Sequence, residues 1–211
     1  MRRIFSSMIR KMIQTIFFDL GKVLADFNWR SAAQKIAADS AGSTEEIYAL
    51  CTVGDLALEY ETGKIETNIF FNRLKDEIGF NRSPEILREL WSDIFTPIPK
   101  HLDVLDRIRT RYPVGLISNT NEAHVDWITK KFGFLKWFPN PTYSFAAGFL
   151  KPQKEIFQIA LKTLSSSPEE SLFIDDLEVN IAAAKSLGMQ AIHLTPDKDI
   201  EKELKKFDLD L

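Results

Sequence analysis

The sequence predicts an α/β fold, a doubly wound parallel sheet with an inserted α-helical cap, on three observations. First, strand-like and helix-like segments alternate in the chain after Pro97, the rhythm of a parallel sheet covered on both faces. Second, the apolar run Ile16-Phe17-Phe18 reads as a buried strand ending abruptly on Asp19, and no partner strand follows it until beyond Pro97. Third, the intervening stretch from about Trp29 to Phe95 shows short amphipathic helical patterns and few strand signals. The expected division is a basic tail over residues 1–12, a Rossmann-like core from 13–26 and 97–211, and a helical cap over 27–96.

The elements follow in order. Ser31 to Ala41 is Ala-rich and helical. Ser43 and Glu46 form a capping-box pattern that opens the next helix. Glu66 to Ile78 and Pro84 to Phe95 carry helical apolar spacing, and Gly42, Gly54, Gly63 and Gly79 fall at the breaks. In the core, His101 to Arg111 is a helix and Val114 to Ser118 a buried strand. Glu122 to Phe132 is a helix and Thr142 to Phe145 a short strand. Lys154 to Leu164 is a helix, followed by a strand over Leu172 to Asp175. Val179 to Leu187 is a helix, and Ala191 to Leu194 the final strand. The charged run from Asp197 to Lys206 reads as a solvated helix face.

Composition narrows the function. A chain of 211 residues, 45% hydrophobic with a net charge of −3, is long enough for one core plus an inserted lobe. It offers no basic patch for nucleic acid. The N-terminal basic stretch has too short an apolar segment for export and no span follows, so no membrane partner is expected; Met1, Met8 or Met12 could start translation. Cys51 is the single cysteine, so no internal disulfide forms, and a reducing cytoplasm is the expected location with Cys51 as a buried cap residue. Nothing in the chain speaks to oligomeric state.

Polar residues of complementary kinds stand at four strand ends or the loops beside them. These are Asp19, then Ser118-Asn119-Thr120-Asn121, then Lys151 before Pro152, then Asp175-Asp176 with Asn180 a helical turn later. In open α/β sheets the carboxyl ends of the strands form the ligand crevice. Carboxylates without a His or Cys cluster favour a hard cation such as Mg²⁺. Ser118 and backbone N–H groups at a helix start suit phosphate oxygens, and Lys151 supplies a point charge. A carboxylate nucleophile forming an acyl phosphate is an established covalent strategy.

This set resembles the haloacid dehalogenase (HAD) superfamily over about residues 14–195. Its first motif is matched by Phe18-Asp19-Leu20-Gly21-Lys22-Val23, and its second by Ile117-Ser118-Asn119. Its third is matched by Lys151-Pro152, and its fourth by Phe173-Ile174-Asp175-Asp176. Tyr60-Glu61-Thr62-Gly63-Lys64-Ile65 is similar to a turn of the helical cap, and the motif details look most like small bacterial sugar phosphatases, including those acting on glucose 1-phosphate. The resemblance implies a phosphatase for a small phosphorylated metabolite, with a sugar phosphate as the expected substrate. It implies Asp19 as nucleophile, and Mg²⁺ held by the carboxylates of Asp19 and Asp176 and the carbonyl of Gly21, with Asp175 acting through water. It further implies that Ser118 and the Asn119 N–H hold the phosphoryl group and that Lys151 bridges Asp19 and phosphate.

One departure matters. The family usually carries a second Asp two residues after the nucleophile, as the acid that protonates the leaving oxygen; here that position is Gly21. Losing such an acid costs about 10²–10⁴-fold in rate unless it is replaced. Lys22, Asp26, Asp175 and His124 are the candidate substitutes, although His124 also reads as a satisfied structural histidine. Gly21 keeps two alternatives in view, a catalytically weak phosphometabolite-binding or regulatory protein and a phosphomutase. Trp29 and Phe27 are expected near the junction of the lobes, and His101 and His193 are expected to be structural.

Overall fold

A computed structural model describes residues 12–210. The basic tail before Met12, with the choice of start codon, lies outside the described residues. Strand β1 (Thr15–Phe18) is buried along its whole length. After a turn come β2 (Ala25–Phe27) and five helices, α1 (Trp29–Ala37), α2 (Thr44–Val53), α3 (Asp55–Glu61), α4 (Thr67–Ile78) and α5 (Pro84–Ser92). The chain returns through β3 (Phe95–Pro97) to α6 (Pro99–Ile108), β4 (Val114–Ser118) and α7 (Glu122–Lys131). It continues through β5 (Thr142–Tyr143), α8 (Ser144–Ala147), α9 (Lys154–Thr163), β6 (Ser171–Asp175), α10 (Glu178–Ser186), β7 (Gln190–His193) and α11 (Ile200–Lys205).

The main sheet has the order β5-β4-β1-β6-β7, and every pairing in it is parallel. β1 therefore lies at the centre, with Phe18 level with Leu116 on one side and Ile174 on the other. A strand buried on both faces must be apolar throughout, which is what its sequence offers. One apolar cluster, including Ile16, Phe18, Leu105, Leu116 and Ile174, fills one face of the sheet. A second, including Phe17, Phe157, Ile117 and Phe173, fills the other.

The helical lobe has its own core of Ile36, Ile47, Tyr60, Phe70, Phe71, Leu87 and Trp91, to which Ala123 of α7 also belongs. The capping box of Ser43 and Glu46 is formed as predicted. The lobe is tied to the sheet by an antiparallel pair that the sequence did not reveal, β2 with β3, Asp26 facing Thr96. The predicted Thr142–Phe145 strand stops at Tyr143, because the Ser144 hydroxyl donates to the Thr120 carbonyl and accepts the Thr120 N–H, and the chain turns into α8. Helix α5 ends at Ser92 rather than Phe95, which β3 takes. No helix among the described residues is long and apolar enough to cross a membrane.

Candidate active site

Asp19 stands one residue past β1, and its N–H continues the ladder by donating to the Ile174 carbonyl at 2.9 Å. The carboxylate is thus held over the sheet's carboxyl edge at 7% exposure. Lys151 reaches it from the loop before α9. Its Nζ lies 2.6 Å from Asp19 Oδ1 and 2.7 Å from Asp175 Oδ2, and the lysine is itself buried. The loop carrying Lys151 is clamped by Asn119, whose Oδ1 accepts from the Lys151 N–H at 2.7 Å and whose Nδ2 donates to the Lys151 carbonyl at 3.0 Å. The Asn119 side chain is thereby spent on positioning the lysine, while its backbone N–H, the group expected to meet phosphate, makes no hydrogen bond among the described residues.

Asp175 is fully buried and fully engaged. Besides Lys151, its oxygens accept from Asn180 Nδ2 at 3.0 Å each and from the Leu177 N–H at 2.8 Å. Asp176 is half-buried, and its carboxylate accepts no hydrogen bond from another residue among the described residues. One oxygen from each of Asp19, Asp175 and Asp176 falls within 4.8 Å of the others. Burial pushes the Asp19 carboxyl up to about 7, with repulsion from Asp175 adding to it, against attraction from Lys151 and the Leu20 N–H. Burial and then Asp175 raise Asp176 as well. Burial alone would depress the Lys151 ammonium, but Asp19 and Asp175 outweigh it and hold it above its ordinary value.

Three carboxylates against one ammonium leave two negative charges uncompensated. An all-oxygen donor set with that excess fits a hard divalent cation. The Ser118 hydroxyl is buried beside the cluster's strand and, among the described residues, finds only the Asn119 carbonyl at 3.5 Å, a long contact that leaves it able to meet a ligand oxygen.

Of the proposed stand-ins for the acid missing at Gly21, none is a free donor. Lys22 and Asp26 pair with each other at the surface, and the Lys22 hydrogen bond holds Asp26 below the usual carboxylate range. Asp175 has no lone carboxyl oxygen. His124 is buried in a box of Trp29, Trp91 and Phe95 rings and accepts at Nδ1 from Asn121 Nδ2. Burial pushes it down to about 3, despite an upward pull from the Trp91 carbonyl. At Gly21 itself, a Cβ would lie 2.9 Å from Cε1 of Phe27, so the aromatic ring occupies the space a side chain would need.

Of two cavities among the described residues, only one borders the site. The larger, about 680 Å³, lies between helical lobe and core among Tyr60, Thr67, Arg88, Glu122 and Phe145, and none of the converging residues lines it. The smaller, about 480 Å³, is lined by Asp176 with Lys22, Asp26 and His101 and so opens directly beside the carboxylates.

Residues 13–188 match the family described as haloacid dehalogenase-like hydrolase. The chain is 29% identical over 203 residues to a D-ribitol-5-phosphate phosphatase of Bacteroides thetaiotaomicron, spanning 92% of this chain and 97% of that one. It is 25% identical to a sesquiterpene phosphatase of Aspergillus oryzae, over 84% of this chain and 88% of that one. Among solved structures, it is similar to a HAD family enzyme of Bacteroides thetaiotaomicron in complex with magnesium and inorganic phosphate. That likeness has a TM-score of 0.82 and 25% identity, over 90% of this chain and 98% of the other.

Proposed function

The chain belongs to the haloacid dehalogenase-like hydrolases, and from that premise we propose a Mg²⁺-dependent phosphatase that forms an aspartyl-phosphate on Asp19 and acts on a small phosphorylated polyol or sugar. The observation that carries it is Lys151 Nζ held between Asp19 and Asp175, with Asp176 completing a cluster whose excess charge calls for a cation. A metal-free dehalogenase would have no use for that excess.

Asp19, Asp176 and the Gly21 carbonyl would hold the ion, with Asp175 behind them fixing Lys151. When bound, Mg²⁺ supplies charge neutralisation that lets a carboxylate and a phosphate dianion approach. Asp19 Oδ attacks phosphorus in line, and the ester oxygen departs on the opposite side. Lys151 meets the phosphoryl oxygens with a charge that is already in place, so little reorganisation accompanies the reaction. Ser118 Oγ and the Asn119 N–H hold the remaining oxygens. Water then cleaves the acyl phosphate and restores Asp19.

The ribitol-phosphate specificity of the relative at 29% identity supports a polyol or sugar phosphate here. The lone buried thiol of Cys51 suits a reducing cytoplasm. The test is phosphate release from a panel of polyol and sugar phosphates with Mg²⁺ or EDTA, using wild type and Asp19→Asn. Turnover that needs Mg²⁺ and vanishes in the variant is expected. No release from any member of the panel, or release that survives Asp19→Asn, would overturn the proposal.

A further inference from the structure

A substrate whose phosphate sits among Asp19, Ser118, Lys151 and Asp176 must leave that cluster along one of its borders. Of the two cavities, the one of about 480 Å³ alone meets the cluster, at Asp176. Its size lies within the roughly 300–1,000 Å³ of small-molecule sites. Its walls come from the turn after β1, from β2, from the start of α6 and from the loop after β7; no residue of the five lobe helices lines it.

The polar groups around it hold unfilled donors and unfilled acceptors. Lys22 takes φ +57°, a left-handed conformation that glycine adopts freely and lysine takes at a cost. The turn is closed by its N–H on the Ala25 carbonyl at 2.8 Å. Its ammonium lies 4.5 Å from the centre of the Phe27 ring and donates to Asp26 and, at 3.3 Å, to the Phe27 carbonyl. One of its three protons is left over. Asp26 accepts both the Lys22 ammonium and the Phe27 N–H on Oδ1, and its Oδ2 accepts nothing among the described residues.

The opposite wall is tied to Asp176 itself. His193 Nε2 donates to the Asp176 carbonyl at 2.9 Å, and Lys198 Nζ donates to the His193 carbonyl at 2.8 Å. Two Lys198 protons have no partner among the described residues. His101 donates from Nδ1 to the Val23 carbonyl at 2.7 Å, so Nε2 of the neutral ring is an acceptor, and it is unused among the described residues. Ile98 and Leu194 supply apolar surface between these groups.

We infer that this cavity holds the hydroxylated chain of the substrate, with Lys22 and Lys198 as the donors and Asp26 and His101 as the acceptors that read its hydroxyl groups. This rests on the phosphatase proposed above. A hydroxyl both donates and accepts, so a polyol or sugar satisfies both kinds of group while its C–H faces rest on Ile98 and Leu194. An alkyl chain would strip water from all four polar side chains and return no hydrogen bond. A second anionic group would meet the lysines but be repelled by Asp26. Selection for the polyol is thereby assigned to the core, beside the metal ligand Asp176, rather than to the helical lobe.

The experiment compares wild type, Lys22→Met, Lys22→Arg, Lys198→Met and Asp19→Asn on two hydroxylated esters, ribitol 5-phosphate and glucose 1-phosphate, and on n-pentyl phosphate. Wild type should prefer a hydroxylated ester to the pentyl ester. Lys22→Met and Lys198→Met should each lose about 10–100-fold in kcat/KM on the preferred ester, mainly through KM, and change by less than about threefold on n-pentyl phosphate. Lys22→Arg, which keeps charge and donors, should retain most of the preference. Equal losses on both kinds of ester, no loss on either, or a wild type that turns over n-pentyl phosphate as well as the hydroxylated esters overturns this role. The Lys22 pair with Asp26 is exposed, so its loss should barely move Tm. Should one methionine variant melt well below wild type, the other decides by the same ratio of esters. A wild type that releases phosphate and is silenced by Asp19→Asn leaves the phosphatase proposal standing even if the cavity's role fails; an inactive wild type removes both.

Discussion

Replacing Asp175 by Asn keeps the shape of the side chain and removes its charge. Asp175 is fully buried and accepts from Lys151, Asn180 and the Leu177 N–H. An amide there must turn an NH₂ toward one of these donors, and it leaves Lys151 with Asp19 alone. Breaking a buried pair in this way costs about 3–5 kcal/mol. At about 2–4 °C per kcal/mol for a chain of this length, Tm should fall by about 6–20 °C. Asp176→Asn should behave in the opposite sense. That carboxylate accepts no hydrogen bond from another residue among the described residues and is repelled by Asp175, so in EDTA its loss should leave Tm unchanged or raise it. Added Mg²⁺ at about 100 times its Kd should stabilise wild type by about 2.7 kcal/mol, and Asp176→Asn should lose most of that gain. Calorimetry at one pH, with EDTA and then with Mg²⁺, reads all of these. An Asp175→Asn protein melting within about 2 °C of wild type, less than 1 kcal/mol, would refute this division of labour, as would Asp176→Asn falling as far.

Three further outcomes are expected. His124 is held down to about 3 by burial, below its unfolded value. The unfolded chain therefore binds the extra proton, and stability contributed by this group is lost as pH falls from about 6.5 toward 3; its imidazole NMR signals should not shift between pH 5 and 8, and a normal titration there would contradict the buried box. Burial pushes the Cys51 thiol up to about 12, so a disulfide reagent at mildly alkaline pH should label it only after unfolding in urea, and fast native labelling would count against its burial. Gly21→Asp should not restore a second catalytic acid but destabilise by about 1–3 kcal/mol, because its Cβ meets Phe27. Phe27→Ala in the same chain should recover part of that loss, and additive losses in a thermal melt would show that the contact is not the cause.

Much of the fold was legible because its signals are local. A strand buried on both faces must be apolar end to end, so β1, β4 and β6 announce themselves, and Ser43 with Glu46 declares a helix start within four residues. The β2–β3 pair is different: three residues each, joined across the whole helical lobe, with no periodicity long enough to read. Helix α3 is short, lacks a side-chain cap and passes for a turn. At the site, Asp19, Ser118 and Asp176 share one edge because they stand at strand ends, whereas Lys151 comes from the loop before α9. That Asn119 clamps the Lys151 backbone, that Asp175 is consumed by Lys151 and Asn180, and that Phe27 fills the space beside Gly21 depend on contacts between distant segments, which spacing in the chain does not encode.

The most direct test of the central claim is to look for the covalent intermediate. Enzyme mixed with substrate and Mg²⁺, quenched in acid within a turnover and digested, should yield the peptide containing Asp19 bearing one added phosphoryl group. That group should be absent in EDTA and in Asp19→Asn. Turnover by wild type with that peptide unmodified at every quench time, or with the phosphoryl group on another residue, would contradict it.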